Sequence, residues 1–552
     1  MAFSLVAPAN GSVGVNRDIE IEARIHHRWT GEGLDVGSVN SSNVRLYPAG
    51  QPASVVEVDM LVDEEESAIR LRPHRLLAAN TPYVFEVTDD VVDQSERAAA
   101  FHRSTFRTGS LPTGALPNVA FSKERLSGTD GQHTTLTVGP DGKLYAAGIN
   151  GMIRRWTIDG DGTVRDTEAI PTLWLHEGMM RLLIGLTFDP SSTADSLIAW
   201  VSHTTSGYED MPDWGGKITR LSGPNLENAE DYVAQLPRST RDHVTNSLVF
   251  GPDGALYVLQ GGNTSIGDVD ADWGNRPERM LSAAVLRVDV DALASGTERP
   301  LDAKTEDGGT YDPLDPTAPL RIYASGIRNA YDAVWHSNGY LYVPNNGGAK
   351  GGRTPEAVGG TLRPDGRPYV GPSVPSISNI LVEDDVLYRV PPMSEDGQIR
   401  YRYYGHPNPI RGEYVLDGGN PTAGLDRGEV DLYPVGVEPD EDWEGFVYNF
   451  GTHTSPTGVI EYHGDAFNGA LSGHLIIAFY GGRASGNLIV LRPDSDGGIV
   501  AWDDVLGIPG LTGFDNALDI TEDVRTGFLY VSQMGDGGGI MLLRPIEAMG
   551  QE

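Results

Sequence analysis

From residue 119 onward, short apolar runs alternate with turns rich in Gly, Asp, Asn and Pro, and one unit keeps returning. "GPDGKLYAAG" at 139 recurs as "GPDGALYVLQ" at 251, "HSNGYLYVPN" at 336 and "VRTGFLYVSQ" at 524. Each reads as a tight turn, whose glycine permits positive φ, followed by an apolar strand. Two looser copies, "FDPSSTADSLIAWVSH" from 188 and "FNGALSGHLIIAFYGG" from 467, fill the gaps. Six copies predict six blades, since radial repetition of small sheets buries their faces and protects their edges. Residues 119 to 547 are therefore expected to form a six-bladed β-propeller. At about 45 residues per blade, six blades need only about 270. The surplus must lie in long loops, chiefly around 345 to 450, and long loops on a rigid scaffold usually build a site.

Residues 1 to 107 alternate apolar and polar positions in "DIEIEARI", "NVRLYP", "SVVEVDMLV", "AIRLRP" and "PYVFEVTDDV". Roughly seven such strands in about 100 residues predict an antiparallel sandwich. "TGSLPTGALPN" at 108 to 118 has no periodicity and reads as an interdomain linker. "PANGS" near the start, "LAANTPYVFEV" and the closing "FRTG" resemble bacterial Ig-like domains, which implies a spacing or docking role. The expected fold class is all-β: an Ig-like β-sandwich followed by a six-bladed β-propeller.

Composition removes several chemistries. The chain has no cysteine, so disulfides, thiolate metal sites and cysteine nucleophiles are out, and function rests on oxygen and nitrogen ligands. With 77 acidic against 41 basic residues the net charge is −36, which repels phosphate backbones and anionic lipid. Nucleic acid is not an expected partner. The longest apolar runs, such as "LIIAFY" at 475 to 480, fall far short of the roughly 18 residues of a membrane span. "MAFSLVAPANGS" carries no basic-then-apolar export signal. The expected setting is nonetheless periplasmic or extracellular, with any export signal lying outside this chain.

Six stretches point to one family: "RLLIGLTFDP" (181 to 190), "RDHVTNSLVFGPDGALYVL" (241 to 259), "YASGIRNAYDAVW" (323 to 335), "YYGHPNP" (403 to 409), "SPTGVIEYHGDAFNGALSGHLIIAFY" (455 to 480) and "ALDITEDVRTGFLYVS" (517 to 532). In that order, over most of residues 130 to 545, they resemble the glucose/sorbosone dehydrogenases. These are soluble sugar dehydrogenases that carry pyrroloquinoline quinone (PQQ) and calcium on a six-bladed propeller. The resemblance implies oxidation of an aldose or related sugar at C1, with hydride passing to the quinone and electrons leaving to a soluble acceptor. It implies His243 as general base, taking the C1 hydroxyl proton near neutrality. Asp242 is its neighbour, but adjacent strand residues diverge. Arg328 and Asn329 are implied at the quinone and substrate, where a guanidinium stabilises charge on the quinone oxygen. "NNGG" at 345 to 348 stands where the family binds calcium, so Gly347 and Gly348 are implied as carbonyl ligands and Asn346 as a cofactor contact.

PQQ is a tricarboxylate, and the family grips it with a fifth-blade lysine and sixth-blade arginines. Here Arg483 stands in for the lysine, whereas Asn516 and Leu518 occupy the arginine positions. Lys350, Arg353, Arg402 and Arg411 are other basic candidates. Two further constellations carry metal chemistry on paper. Asp268, Asp270 and Asp272 alternate as in calcium loops, although glycine falls one place late for an EF-hand. His453, Glu461, His463 and His474 lie near the fifth blade. The alternative to a dehydrogenase is a cofactor-free propeller that binds carbohydrate or protein, or a lyase or hydrolase acting on a polysaccharide.

Overall fold

The computed structural model describes residues 2–15, 17, 19–26, 34–63, 68–73, 77–78, 80–109, 116, 119–209, 211–296, 299–349, 351–378, 380, 382–394, 397–421, 430, 433–481, 486–503, 508–535 and 537–546. The chain divides into two compact units, residues 1–117 with 501–508 and residues 118–500 with 509–552. Of the stretch expected to be a linker, residues 110–115, 117 and 118 lie outside the described residues.

The first unit holds two four-stranded sheets. One runs in the order Ala2–Ala7, Ile21–His26, Ala68–Pro73, Val58–Asp63, and the other Ser12–Val15, His102–Thr108, Pro82–Val87, Val44–Pro48. The alternation read from sequence sends Ile21, Ala23, Ile69, Leu71, Leu46, Phe85 and Phe106 into one buried core. The strands number eight, one more than the roughly seven expected.

The second unit is the six-bladed propeller. In each blade one hairpin joins the first strand to the second, and the repeated unit is that hairpin's turn. Blade 1 pairs His133–Val138 with Leu144–Gly148, blade 2 Arg181–Phe188 with Ile198–Thr205, and blade 3 Thr245–Phe250 with Leu256–Gln260. Blade 4 pairs Val334–Trp335 with Leu341–Asn345, blade 5 Pro456–Glu461 with Leu475–Phe479, and blade 6 Ala517–Asp523 with Phe528–Gln533. The turn aspartate has a second role: Tyr145 and Tyr257 donate their hydroxyls to Asp141 (2.8 Å) and Asp253 (3.1 Å) two strand residues beyond the turn. The "D-G-x-L-Y" spelling is thus a turn that also satisfies a buried phenol.

First strands of successive blades touch one another around a complete ring, blade 6 meeting blade 1. The sheet of blade 6 takes its fourth strand, Phe121–Arg125, from the start of the propeller, with Met541 opposite Arg125 and Pro545 opposite Phe121. That pairing ties the ring shut. Close approach at the ring demands glycine at 185, where a Cβ would lie 3.0 Å from Ser247 Cα on the next first strand. Among the described residues no helix is long and apolar enough to cross a membrane.

Candidate functional site

In an antiparallel hairpin the start of the first strand and the end of the second lie at the same end, so one face of the propeller gathers both sets of residues. There a cavity of ≈ 960 Å³ opens. It takes His243 from ahead of blade 3's first strand, Arg328 and Asn329 from ahead of blade 4's, and Asn346, Gly347 and Gly348 from the end of blade 4's second strand. The implied base, Arg-Asn pair and Gly-Gly segment therefore line one space.

His243 is buried, and the connection between strands 256–260 and 284–288 holds its ring. Nδ1 lies 3.0 Å from the carbonyl oxygen of Gly262, which can only accept, so Nδ1 carries the proton and Nε2 keeps the lone pair. The ring also packs at 4.2 Å on Trp273, tilted by 42°. Its backbone is fixed through Ser239, whose hydroxyl accepts from His243 N (3.1 Å) and whose amide donates to His243 O (2.8 Å). Burial pushes the imidazole well below its ordinary pKa, and the Arg328 guanidinium pushes it the same way. Asp242 is exposed and takes no part in orienting the ring; Gly262 does that.

Arg328 is equally buried. Its Nε donates to Ser265 O and its Nη1 to Gly347 O, both at 2.8 Å, and the guanidinium lies 5.3 Å from the Trp273 ring centre. Burial lowers its pKa, while Glu383, Asp242 and Asp385 act in the opposite direction. Asn329 Oδ1 accepts from Asn246 Nδ2 at 2.9 Å, leaving its amide nitrogen for a ligand. Asn346 is tied back through Nδ2 to Asn329 O and Pro456 O, each at 3.3 Å.

The Gly347 and Gly348 carbonyls are engaged otherwise than a calcium site requires. Gly347 O accepts from a guanidinium, and Gly348 O accepts from Glu383 N at 3.0 Å. A calcium ion on Gly347 O would share its ligand atom with a fixed cation, which Coulomb repulsion disfavours. Asp268, Asp270 and Asp272 do not converge either. Asp268 pairs with Arg353 Nε (2.7 Å), Asp270 accepts from Ser265 N (3.0 Å) and Trp273 N (2.8 Å), and Asp272 is an exposed residue of the cavity lining. The carboxylates cap their own loop, as short acidic side chains do.

Of the fifth-blade candidates, Glu461 and His463 come near each other, with His463 Nε2 3.8 Å from Glu461 Oε2 and its side chain exposed, while the others stay apart. His453 lines the cavity, Glu461 accepts from Ser337 N (2.7 Å), and His474 Nδ1 meets Leu471 O (3.1 Å). Among the described residues the one three-member cluster with metal-ligand spacing is His176, Glu177 and Asp231. There Lys217 Nζ already bridges Glu177 and Asp231 at 2.6 and 2.7 Å, so a cation is in place.

The cavity does not fit PQQ. Its described lining sets Glu209, Asp242, Asp272, Glu383 and Asp385 against Arg241 and Arg328. Arg483 and Lys350 lie outside the described residues. Even with both counted, cations fall short of the carboxylates already there, before the cofactor adds three more. Arg353 is held by Asp268, Arg402 lies 3.4 Å from Glu444, and Arg411 is buried against Glu413 and three carbonyls. On the blade 6 side the lining is Leu518 and Met534. Asn516 has a φ of 55°, which asparagine tolerates better than arginine.

Sequence reasoning missed Trp273, Gly262, Glu278 and His406. Trp273 stood inside the stretch read as a calcium loop, and an aromatic among acids was the available sign of a pocket wall. Gly261-Gly262 directly after a strand was the sign of close backbone approach.

Comparisons with known proteins bear on the fold. Residues 2–108 match the family model of the bacterial Ig-like domain. Among solved structures, the chain is similar to a glucose dehydrogenase-type oxidoreductase from Thermus thermophilus, at 17% identity over 77% of this chain and 100% of that one, with a TM-score of 0.44. It is similar to the holo PQQ domain of a pyranose dehydrogenase from Coprinopsis cinerea, at 13% over 77% and 97%, with a TM-score of 0.48. It is also similar to a Trichoderma reesei protein of carbohydrate-active enzyme family AA12, at 15% over 79% and 99%, with a TM-score of 0.46. At such identities and scores the chemistry of this chain rests on its own residues.

Proposed function

We propose that the propeller cavity binds a carbohydrate and that His243 is the general base that takes a proton from one of its hydroxyls, as in oxidation of a sugar alcohol. The observation that carries this reading is the Nδ1 contact to Gly262 O, which fixes the tautomer with the lone pair on Nε2. Because burial keeps the ring neutral, the base is in its accepting form throughout the neutral range. Arg328 and Asn329 supply a cation and an amide to the same volume, suited to the oxygen that gains negative charge. These residues account for the proton half of the oxidation. The hydride leaving the same carbon needs a two-electron acceptor that enters the open cavity, a diffusible dye or quinone; PQQ, which fills that role in the family that the motifs resemble, disagrees with the described lining. A periplasmic or extracellular setting with a soluble electron acceptor suits the same reading.

A second reading, a cofactor-free propeller that only binds carbohydrate, is favoured by one observation, the excess of carboxylates in the lining. Calorimetry with a panel of aldoses and oligosaccharides, run beside dye-reduction assays with and without added PQQ and calcium, separates the two. His243→Ala is expected to lower turnover by about 100-fold or more with affinity nearly intact. Sugar binding without turnover under every condition would establish the second reading. No sugar binding would overturn both, and dye reduction that depends on PQQ and calcium would overturn the misfit.

A further inference from the structure

Both principal residues of the site lean on one short segment. Gly262 O orients His243, Gly262 N donates to Arg328 O at 2.7 Å, and Ser265 O accepts from Arg328 Nε. Residues 261–265 thus set the base and the guanidinium relative to each other, and what fixes the segment fixes the site. A Cβ at 262 would lie 3.2 Å from both Arg328 O and Glu278 Oε1, so there is little slack.

The fixing group is a carboxylate. Glu278 is fully buried and accepts from Asn263 N (3.1 and 3.0 Å to its two oxygens), Thr264 N (2.9 Å), Thr264 Oγ1 (2.7 Å) and the Ser282 hydroxyl. Across from the segment, His406 Nε2 lies 2.9 Å from Glu278 Oε1, with both groups buried. His406 belongs to the "YYGHPNP" stretch, and its neighbours dock beside it. Asn408 Nδ2 donates to Arg279 O at 2.8 Å, and Arg411 donates to Met280 O at 2.9 Å.

We propose that Glu278, held by His406, is the positioning residue of this site: its carboxylate gathers the amides of Asn263 and Thr264 so that Gly262 orients His243 and Ser265 orients Arg328. The proposal rests on the reading of His243 as the base. A carboxylate suits the task because it is acceptor-only and all its close partners are donors; an amide would have to turn N–H groups toward N–H groups. Burial alone would raise the Glu278 pKa, yet the donors, His406 foremost, outweigh it and hold the group at about 2. It is therefore an anion throughout the range in which the site would work.

The test reads His243 directly. With labelled histidine, the imidazole nitrogen resonances of His243, assigned by their loss in His243→Ala, should report protonated Nδ1 and bare Nε2 in the intact protein. Glu278→Gln should bring in the other tautomer and lower the His243 pKa still further, because the Gly262 carbonyl contact that it loosens favours the charged ring. Thr264→Val and His406→Gln should shift the tautomer in the same direction more weakly, and they carry the test if Glu278→Gln does not fold. Glu278→Asp should restore part of the wild-type signal. A folded Glu278→Gln, or folded Thr264→Val and His406→Gln, with unchanged His243 tautomer and pKa would overturn the proposal. If instead these variants shift His243 while His243→Ala leaves turnover intact, the positioning stands and the catalytic reading fails.

Discussion

The two sides of the propeller cavity are built differently. On the side of blades 3 and 4 the principal groups are aimed: His243 by Gly262, Arg328 by Ser265 and Gly347, Asn329 by Asn246, and the connecting segment by Glu278. On the side of blades 5 and 6 the wall is Tyr480, Leu518 and Met534 with the polar His453, Ser455 and Thr457, and no described lysine or arginine. The first arrangement is what handling a proton at a defined atom requires. The second offers faces and apolar surface, which suit a polyol ring better than a tricarboxylate. The propeller thus carries the equipment of the base on one wall, and among the described residues the other wall holds no clamp for a polyanion.

The sides meet at two carboxyls, half-buried Asp332 ahead of blade 4's first strand and buried Asp519 on blade 6's, and here the largest effect is expected. Asp332 accepts from Val459 N at 3.0 Å and Asp519 from Leu136 N at 2.6 Å; Ser247 and Thr135 add hydroxyls. Burial raises Asp332 to about 6, and burial together with Asp332 raises Asp519. A carboxyl whose folded pKa is raised contributes stability that is present at low pH and lost as the pH rises through the folded value, so this contribution fades between about pH 4 and 6. Asp332→Asn should flatten that slope in part, Asp519 keeping the share that its own burial causes, and should make the propeller more stable at neutral pH. Denaturant unfolding at several pH values measures this, and an unchanged slope would show that the pair is not strained. Glu278, more deeply buried than Asp332, has the opposite sign: its stability is present above the ordinary glutamate range and lost only as the pH falls toward 2. Donor count, not burial, separates the two carboxylates.

If the blade 6 wall lacks only its cation, Leu518→Arg should supply one. Leu518 lines the cavity and is buried, while position 516 is ill suited because its backbone is left-handed. A charge-assisted hydrogen bond is worth about 1.5 to 3 kcal/mol, so PQQ affinity should rise by roughly 10- to 150-fold over the wild type. Fluorescence titration with PQQ measures it. No gain would mean that the five lining carboxylates, rather than the missing arginine, set the barrier.

The hairpin turns were legible because their information is local: glycine at the tight position, an acid or amide, then Leu-Tyr. The position of His243 was legible for the same reason, being fixed relative to "GPDG". The orientation of its ring was not, since Gly262, Glu278 and His406 come from segments far apart in the chain and only the fold brings them together. The acidic alternation at 268 to 272 misled because the sequence shows the spacing of carboxylates but not the amide donors that Asp268 and Asp270 find in their own loop. The reading of Gly347 as a calcium carbonyl overlooked a competitor for its oxygen, Arg328, that no spacing reveals.

The smallest effect expected concerns the aromatic side chains. Tyr480 is 41% exposed and Tyr208 52% exposed, both in the cavity lining, whereas Trp273 is buried against His243 and Arg328. An exposed ring that touches no polar group of the base can contribute only contact to a ligand. Aromatic packing of that kind is worth about 0.5 to 1.5 kcal/mol, so Tyr480→Ala should weaken sugar binding by roughly 2- to 10-fold. Turnover at saturation should stay unchanged, because nothing that orients His243 is lost. Trp273→Ala should instead lower both affinity and turnover, since it removes the surface on which the imidazole and the guanidinium rest. Steady-state kinetics on the two variants, split into KM and kcat, tests the division between the walls. A fall in kcat for Tyr480→Ala matching that for Trp273→Ala would mean that the blade 5 wall takes part in orienting the reacting groups.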